Sequence, residues 1–205
     1  MEIFFFLIIL IFSIIIHEIA HGYMAEWFGD PTARLAGRLT LNPVPHIDPL
    51  GSIILPALML FGSGGTFAFG WAKPVPYNPY NLSNFKWGTV AVGLAGVMAN
   101  LALAIIFGLM IRYSGSLGIT DGAFTQMLAT IVFLNIILAV FNMIPFPPLD
   151  GAKVLFAFLP IRYQYIHDYL EQNWLIFIVF VIFFAKYILL PISSFIFWLI
   201  TGVGI

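Results

Sequence analysis

Residues 4–28 read FFFLIILIFSIIIHEIAHGYMAEWF, an almost wholly apolar stretch that nevertheless carries His17, Glu18 and His21 at its centre. A helix of this length rises about 37 Å, enough to cross about 30 Å of hydrocarbon. Each ionisable side chain placed at that depth costs about 3 kcal/mol unless it is compensated. Three such groups within five residues therefore need one shared partner. In a helix His17 and His21 lie one turn apart on one face, about 6 Å from each other, where two imidazoles can hold one cation. Glu18 follows directly, where a carboxylate can take a proton from an attacking water. The pattern points to a metal-dependent hydrolase inside a membrane.

The rest of the composition agrees. The chain of 205 residues is 61% hydrophobic and 8% charged, against about 25% charged in soluble domains. Lipid must therefore solvate much of it. Net charge is −1 with eight basic residues spread thinly, so nothing marks a nucleic-acid partner. There is no cysteine, so a metal must be held by His or carboxylate. The N-terminus has Glu2, no basic leader and no small-residue cleavage site, and it reads as a retained transmembrane helix.

Along the chain, the pattern predicts an all-α membrane protein: a polytopic bundle of about four to six hydrophobic segments. Gly29-Asp30-Pro31-Thr32 ends the first. Residues 33–46 alternate loosely and read as a small β-hairpin or loop at the membrane surface. Residues 47–72 are short, apolar and broken by Pro56, which favours a re-entrant or interfacial path. A Pro/Asn-rich loop covers 73–84. Residues 87–111 span, with Gly93, Gly96 and Asn100 on a line that permits close helix packing. Residues 123–144 span and stop at Pro145. Residues 152–173 read as interfacial, and 174–203 as one kinked helix or a hairpin. If 47–72 dips and returns, Arg34, Arg38, Lys73, Lys86, Lys153 and Arg162 share one side and Arg112 lies opposite, which makes the basic side cytoplasmic.

A catalytic zinc takes three protein ligands and keeps one open position. Candidates for the third are His46, with Asp48 beside it, His167 and Asp150. Asp150 follows a segment broken by prolines and can turn back into the bundle, with Gly151 allowing close backbone approach.

HEIAHG at 17–22 and Asn142-Met143-Ile144-Pro145-Phe146-Pro147-Pro148-Leu149-Asp150-Gly151 resemble the two hallmark motifs of the site-2 protease family, HExxH and NxxPxxxLDG. The chain is similar to the compact branch without PDZ or CBS domains, including the stretch Asn42–Gly51. The resemblance covers roughly residues 1–155, the expected catalytic core of a single membrane domain over 1–205. It implies one zinc ion held by His17, His21 and Asp150, with Glu18 as general base and acid. The family's GPxxN pattern departs here, with Val97 in place of Pro. The resemblance extends to Asn100, whose amide is expected to donate to an oxyanion, and Asn142 is expected to clamp an extended substrate. Expected partners are a transmembrane protein substrate and the bilayer. Residues 33–46 would capture substrate by strand addition, and water would enter through 29–86. A metal transporter and a non-catalytic helix binder are the rival functions. One ligand-bearing helix argues against the first, and an intact Glu18 against the second.

Overall fold

The computed structural model describes residues 2–62, 64, 70–173, 176, 177, 180 and 185–204. Three helices are long and apolar enough to cross a membrane: α1 (Glu2–Trp27), α4 (Phe85–Arg112) and α5 (Gly122–Asn142). Between them lie two shorter helices, α2 (Thr32–Leu35) and α3 (Leu55–Gly62), and after them α6 (Asp150–Phe158), α7 (Gln164–Gln172) and α8 (Leu190–Thr201). Phe6, Ile8, Phe12, Ile105, Ile106, Leu109, Phe124 and Leu199 stay exposed on these helices. Apolar side chains facing outward on helices of this length place the chain as a multi-pass membrane protein.

Local chemistry sets the helix ends. Gly29 takes a left-handed φ of 100° and turns the chain away from α1. Asn84 caps α4 by accepting the Trp87 N–H, and Asp121 caps α5 by accepting the Ala123 N–H. Arg112 donates to the carbonyls of Leu199 and Ile200, tying the end of α4 to the end of α8.

The bundle is built around α4, which touches α1, α5, α6 and α8. Its glycines are the points of closest approach. A Cβ at Gly96 would lie 2.5 Å from the His17 ring of α1, and one at Gly93 would lie 3.2 Å from the Asp150 carbonyl of α6. Ala104 and Ile111 of α4 pack with Leu128, Val132 and Ile136 of α5 and Phe197 of α8 in the main apolar core. This core fixes α4 and α5, and α4 in turn presents its small-residue face to α1 and α6.

The expected β-hairpin over 33–46 is not formed; the described residues contain no strand. Residues 32–35 make a helical turn instead, closed by Gly37 N–H to Arg34 O and Arg38 N–H to Ala33 O. The physical reason lies in the donors. Pro43 and Pro45 remove two backbone N–H groups from the second arm, so a ladder cannot run through it. Residues 70–78 form no helix or strand, and they meet the 46–51 stretch through two isolated backbone bonds, Trp71 N–H to Gly51 O and Lys73 N–H to His46 O. Pro74 and Pro76 interrupt that pairing, and side chains take over its remaining groups. Arg38 donates to the Lys73 carbonyl, and Glu18 accepts the Val75 N–H. The re-entrant path expected for 47–72 falls partly on residues 63 and 65–69, outside the described residues. Its described part is a π-helical turn over Pro49–Ile54, started by the Asp48 cap, leading into α3. The alternatives for 174–203 likewise fall partly outside the described residues. From Leu190 onward the chain is a helix, which ends at Gly202.

Candidate metal centre

Three donor atoms converge where α1, α4 and α6 meet. His17 Nε2 lies 2.9 Å from Asp150 Oδ2. His21 Nε2 lies 3.0 Å from the same oxygen and 3.0 Å from His17 Nε2. All three side chains are buried, each about 5% exposed. The two histidines meet because they are one turn apart on α1. Asp150 meets them because the prolines after Asn142 stop α5 and the chain re-enters as α6, with Asp150 as its first residue. Gly151 makes this turn possible, since a Cβ there would stand 2.5 Å from the Ile144 carbonyl oxygen.

The outer atom of every one of these side chains is also held. His21 Nδ1–H donates to the Val92 carbonyl at 2.6 Å. His17 Nδ1 faces the Asn100 amide at 3.3 Å. Asp150 Oδ1 accepts from Lys153 Nζ at 2.8 Å.

These residues fit a zinc ion. Tetrahedral zinc with bonds of about 2.1 Å to nitrogen and oxygen sets its ligand atoms about 3.4 Å apart, a few tenths of an ångström wider than the present spacing. The Nδ1–H of His21 is already committed outward, so its Nε2 lone pair points inward. His17 needs an outward acceptor to do the same. The Asn100 oxygen, fully buried and without a partner, is that acceptor once the amide is turned over.

Other sequence candidates lie elsewhere. Glu18 is half-buried beside His17, and its Oε2 accepts the Val75 N–H at 2.8 Å. Asn142 donates to Leu138 O in its own helix and is not brought to the three donors. His46 is buried against the Thr40 carbonyl, and Asp48 caps the turn at 49–54 through the Leu50 and Gly51 N–H groups. His167 groups with Asp168 and Glu171 on α7, where both acids are exposed. Lys153, the Val92 carbonyl and the Val75 N–H escaped sequence reasoning. Only Lys153 left a trace, as a basic residue one helical turn after Asp150.

Comparison with known proteins gives the same reading. The model of peptidase family M50 matches residues 114–185. YwhC of Bacillus subtilis, named provisionally as a zinc metalloprotease, is 35% identical over 96% of this chain and 85% of its own. Rip2 of Mycolicibacterium smegmatis, named in the same way, is 31% identical over 70% of this chain and 52% of its own. Zinc metalloprotease MJ0392 of Methanocaldococcus jannaschii is 24% identical over 78% of this chain and 35% of its own. No solved structure matches the chain. A helical membrane bundle with a buried His-His-Asp centre is the architecture of a membrane metalloprotease. The chain belongs to peptidase family M50, the site-2 protease family of zinc metalloproteases.

Proposed function

We propose that this chain is an intramembrane endopeptidase that hydrolyses peptide bonds in or near transmembrane segments of other membrane proteins. One zinc ion would be held by His17, His21 and Asp150 within a single membrane domain whose catalytic core lies in residues 1–155. The observation that carries the reading is the convergence of three buried donor atoms within 3.0 Å of one another, two of them on a helix of bilayer-spanning length.

A zinc ion held by these three residues would supply Lewis acidity for the scissile carbonyl and for the attacking water. The side chains do the rest. Glu18 takes the proton from the attacking water at its carboxylate and returns it to the leaving amine. The Val75 N–H holds Oε2, which leaves Oε1 for that transfer. For Asn100 the geometry favours a role other than oxyanion donor. Its amide faces the outer nitrogen of His17, so it orients the ring and sets which nitrogen carries the proton. For Asn142 we retain contact with an extended substrate, through the half-exposed side of an amide whose NH2 is on Leu138 O.

A substrate helix must unwind before its backbone reaches this centre, because its peptide groups are otherwise held in helical hydrogen bonds. The irregular 29–86 region is the proposed water route. Arg38 touches the Lys73 carbonyl, and Lys86 lies over the Phe158 ring at 4.6 Å. These contacts support a shared side for the basic residues, which we propose to be the cytoplasmic side of the cell membrane.

The test is cleavage of a purified transmembrane substrate by the reconstituted protein with metal content measured in parallel. Retained zinc with no cleavage in Glu18→Gln supports the reading. Retained zinc after combined His17→Ala and His21→Ala removes the site from α1. Because the chain has no cysteine, single introduced cysteines at positions 38 and 73 give a clean labelling test of sidedness.

A further inference from the structure

We propose that Lys153 is a positioning residue for the metal: it holds one oxygen of Asp150 so that the carboxylate offers only the other to the ion. The inference rests on the assignment of Asp150 as a ligand.

The two oxygens of Asp150 are divided between two tasks. Oδ2 faces both imidazoles, at 2.9 and 3.0 Å. Oδ1 accepts from Lys153 Nζ at 2.8 Å. A free carboxylate can rotate about its terminal torsion, which is soft, and can bind a cation through both oxygens. Binding through both oxygens would consume the open coordination position that water and substrate need, and rotation would carry Oδ2 off the two imidazoles. With Oδ1 tied to an ammonium, neither is available. The pair sits at i and i+3 on α6, so one helical turn sets the geometry.

Lys153 is itself built into place. Its Cβ lies 3.4 Å from where a Cβ at Gly93 would stand, so the base of the lysine stem packs against α4. Its ammonium lies 5.8 Å from the centre of the Tyr77 ring. The acceptor is 6% exposed and the lysine side chain 31%, so water screens this pair far less than an ordinary surface ion pair. A lysine needed only for solubility would leave its head in water and its stem unpacked.

The experiment measures zinc affinity of the full-length, metal-stripped protein in detergent by competition with a chromophoric chelator. Wild type is compared with Lys153→Met, Lys153→Gln, Lys153→Arg and Asp150→Ala, and thermal unfolding of each metal-free protein is recorded alongside. Loss of a partner that orients a ligand costs about 10–100-fold in metal affinity, and that is the loss expected for Lys153→Met. Lys153→Gln, which keeps an N–H donor without the charge, falls between, and Lys153→Arg restores most of the affinity. Wild-type affinity in Lys153→Met and Lys153→Gln, with zinc lost from Asp150→Ala, overturns the role of Lys153 alone. Equal losses in the Arg and Met variants overturn it too, because packing rather than a held oxygen would then be at work. Zinc retained by Asp150→Ala overturns the ligand assignment beneath it.

Discussion

His17 Nε2 and Asp150 Oδ2 stand 2.9 Å apart although 133 positions separate them in the chain. The distance is short because Gly96 lets the His17 ring lie directly on α4 and Gly93 lets the first turn of α6 do the same. Two helices far apart in the sequence are thereby brought to one point.

Removing the base and removing a ligand should separate cleanly. Glu18→Gln is expected to keep zinc and lose about 10²–10⁴-fold in cleavage rate. His21→Ala is expected to lose both. Elemental analysis beside a cleavage assay reads the difference. A strong chelator should abolish cleavage by the wild type, and added zinc should restore it.

Asn100 should act on metal affinity through His17. Asn100→Ala removes the amide beside His17 Nδ1 and is expected to weaken zinc binding about tenfold. Asn100→Asp keeps an acceptor at that nitrogen and should stay near wild type. If Asn100→Ala instead lowers turnover with zinc affinity intact, the amide works on the substrate.

Gly151→Ala should be more damaging than its size implies. The added Cβ would meet the carbonyl oxygens of Met143 and Ile144, and backbone cannot swing aside as a side chain can. Overpacking of this kind costs about 1–3 kcal/mol, and the shift of α6 should carry Asp150 away from the histidines. Thermal unfolding and metal content of the same preparation check both effects.

Asp30 ties the end of α1 to the 78–81 turn. It is fully buried and accepts from Thr32 N at 3.2 Å, Thr32 Oγ1 at 2.5 Å, Asn78 N at 2.6 Å and Asn81 Nδ2 at 2.9 Å. Burial pushes its carboxyl up, but these bonds outweigh it and hold the group below its ordinary value of 3.8. A folded value below the unfolded one gives stability that is complete above pH 3.8 and is lost as pH falls through the folded value. Wild type should therefore lose unfolding temperature below that pH more steeply than Asp30→Asn. Asp30→Ala should cost about 3 kcal/mol near neutral pH.

Much of the centre was legible because its residue types are costly where they stand. His17, Glu18 and His21 sit in a hydrocarbon run, and helical periodicity alone puts the two imidazoles on one face. The line of Gly93, Gly96 and Asn100 was equally readable as a close-packing surface. What it packs against was not, because that depends on α1 and α6 arriving from distant parts of the chain. The hairpin expected at 33–46 failed for a local reason that alternation conceals. Two prolines, at 43 and 45, deny the second arm its donors, and the segment at 73–75 is met instead by side chains, Arg38 on the Lys73 carbonyl and Glu18 on the Val75 N–H.

By itself, the sequence determined that lipid surrounds much of the chain, that α1 is long and apolar enough to cross it, and that α1 sets two imidazoles on one face with a carboxylate beside them. Those are consequences of hydrophobicity and of a 3.6-residue period, both of which act locally. The tertiary structure decided that Asp150 meets those imidazoles, that Lys153 takes its second oxygen, and that Asn100 faces His17 rather than standing open. The contacts of His17 with Asp150 and Asn100 join side chains on separate helices and are set by how closely glycines let α4 approach its neighbours; the Lys153–Asp150 pair lies within one turn of α6 and needed that helix to form at this point.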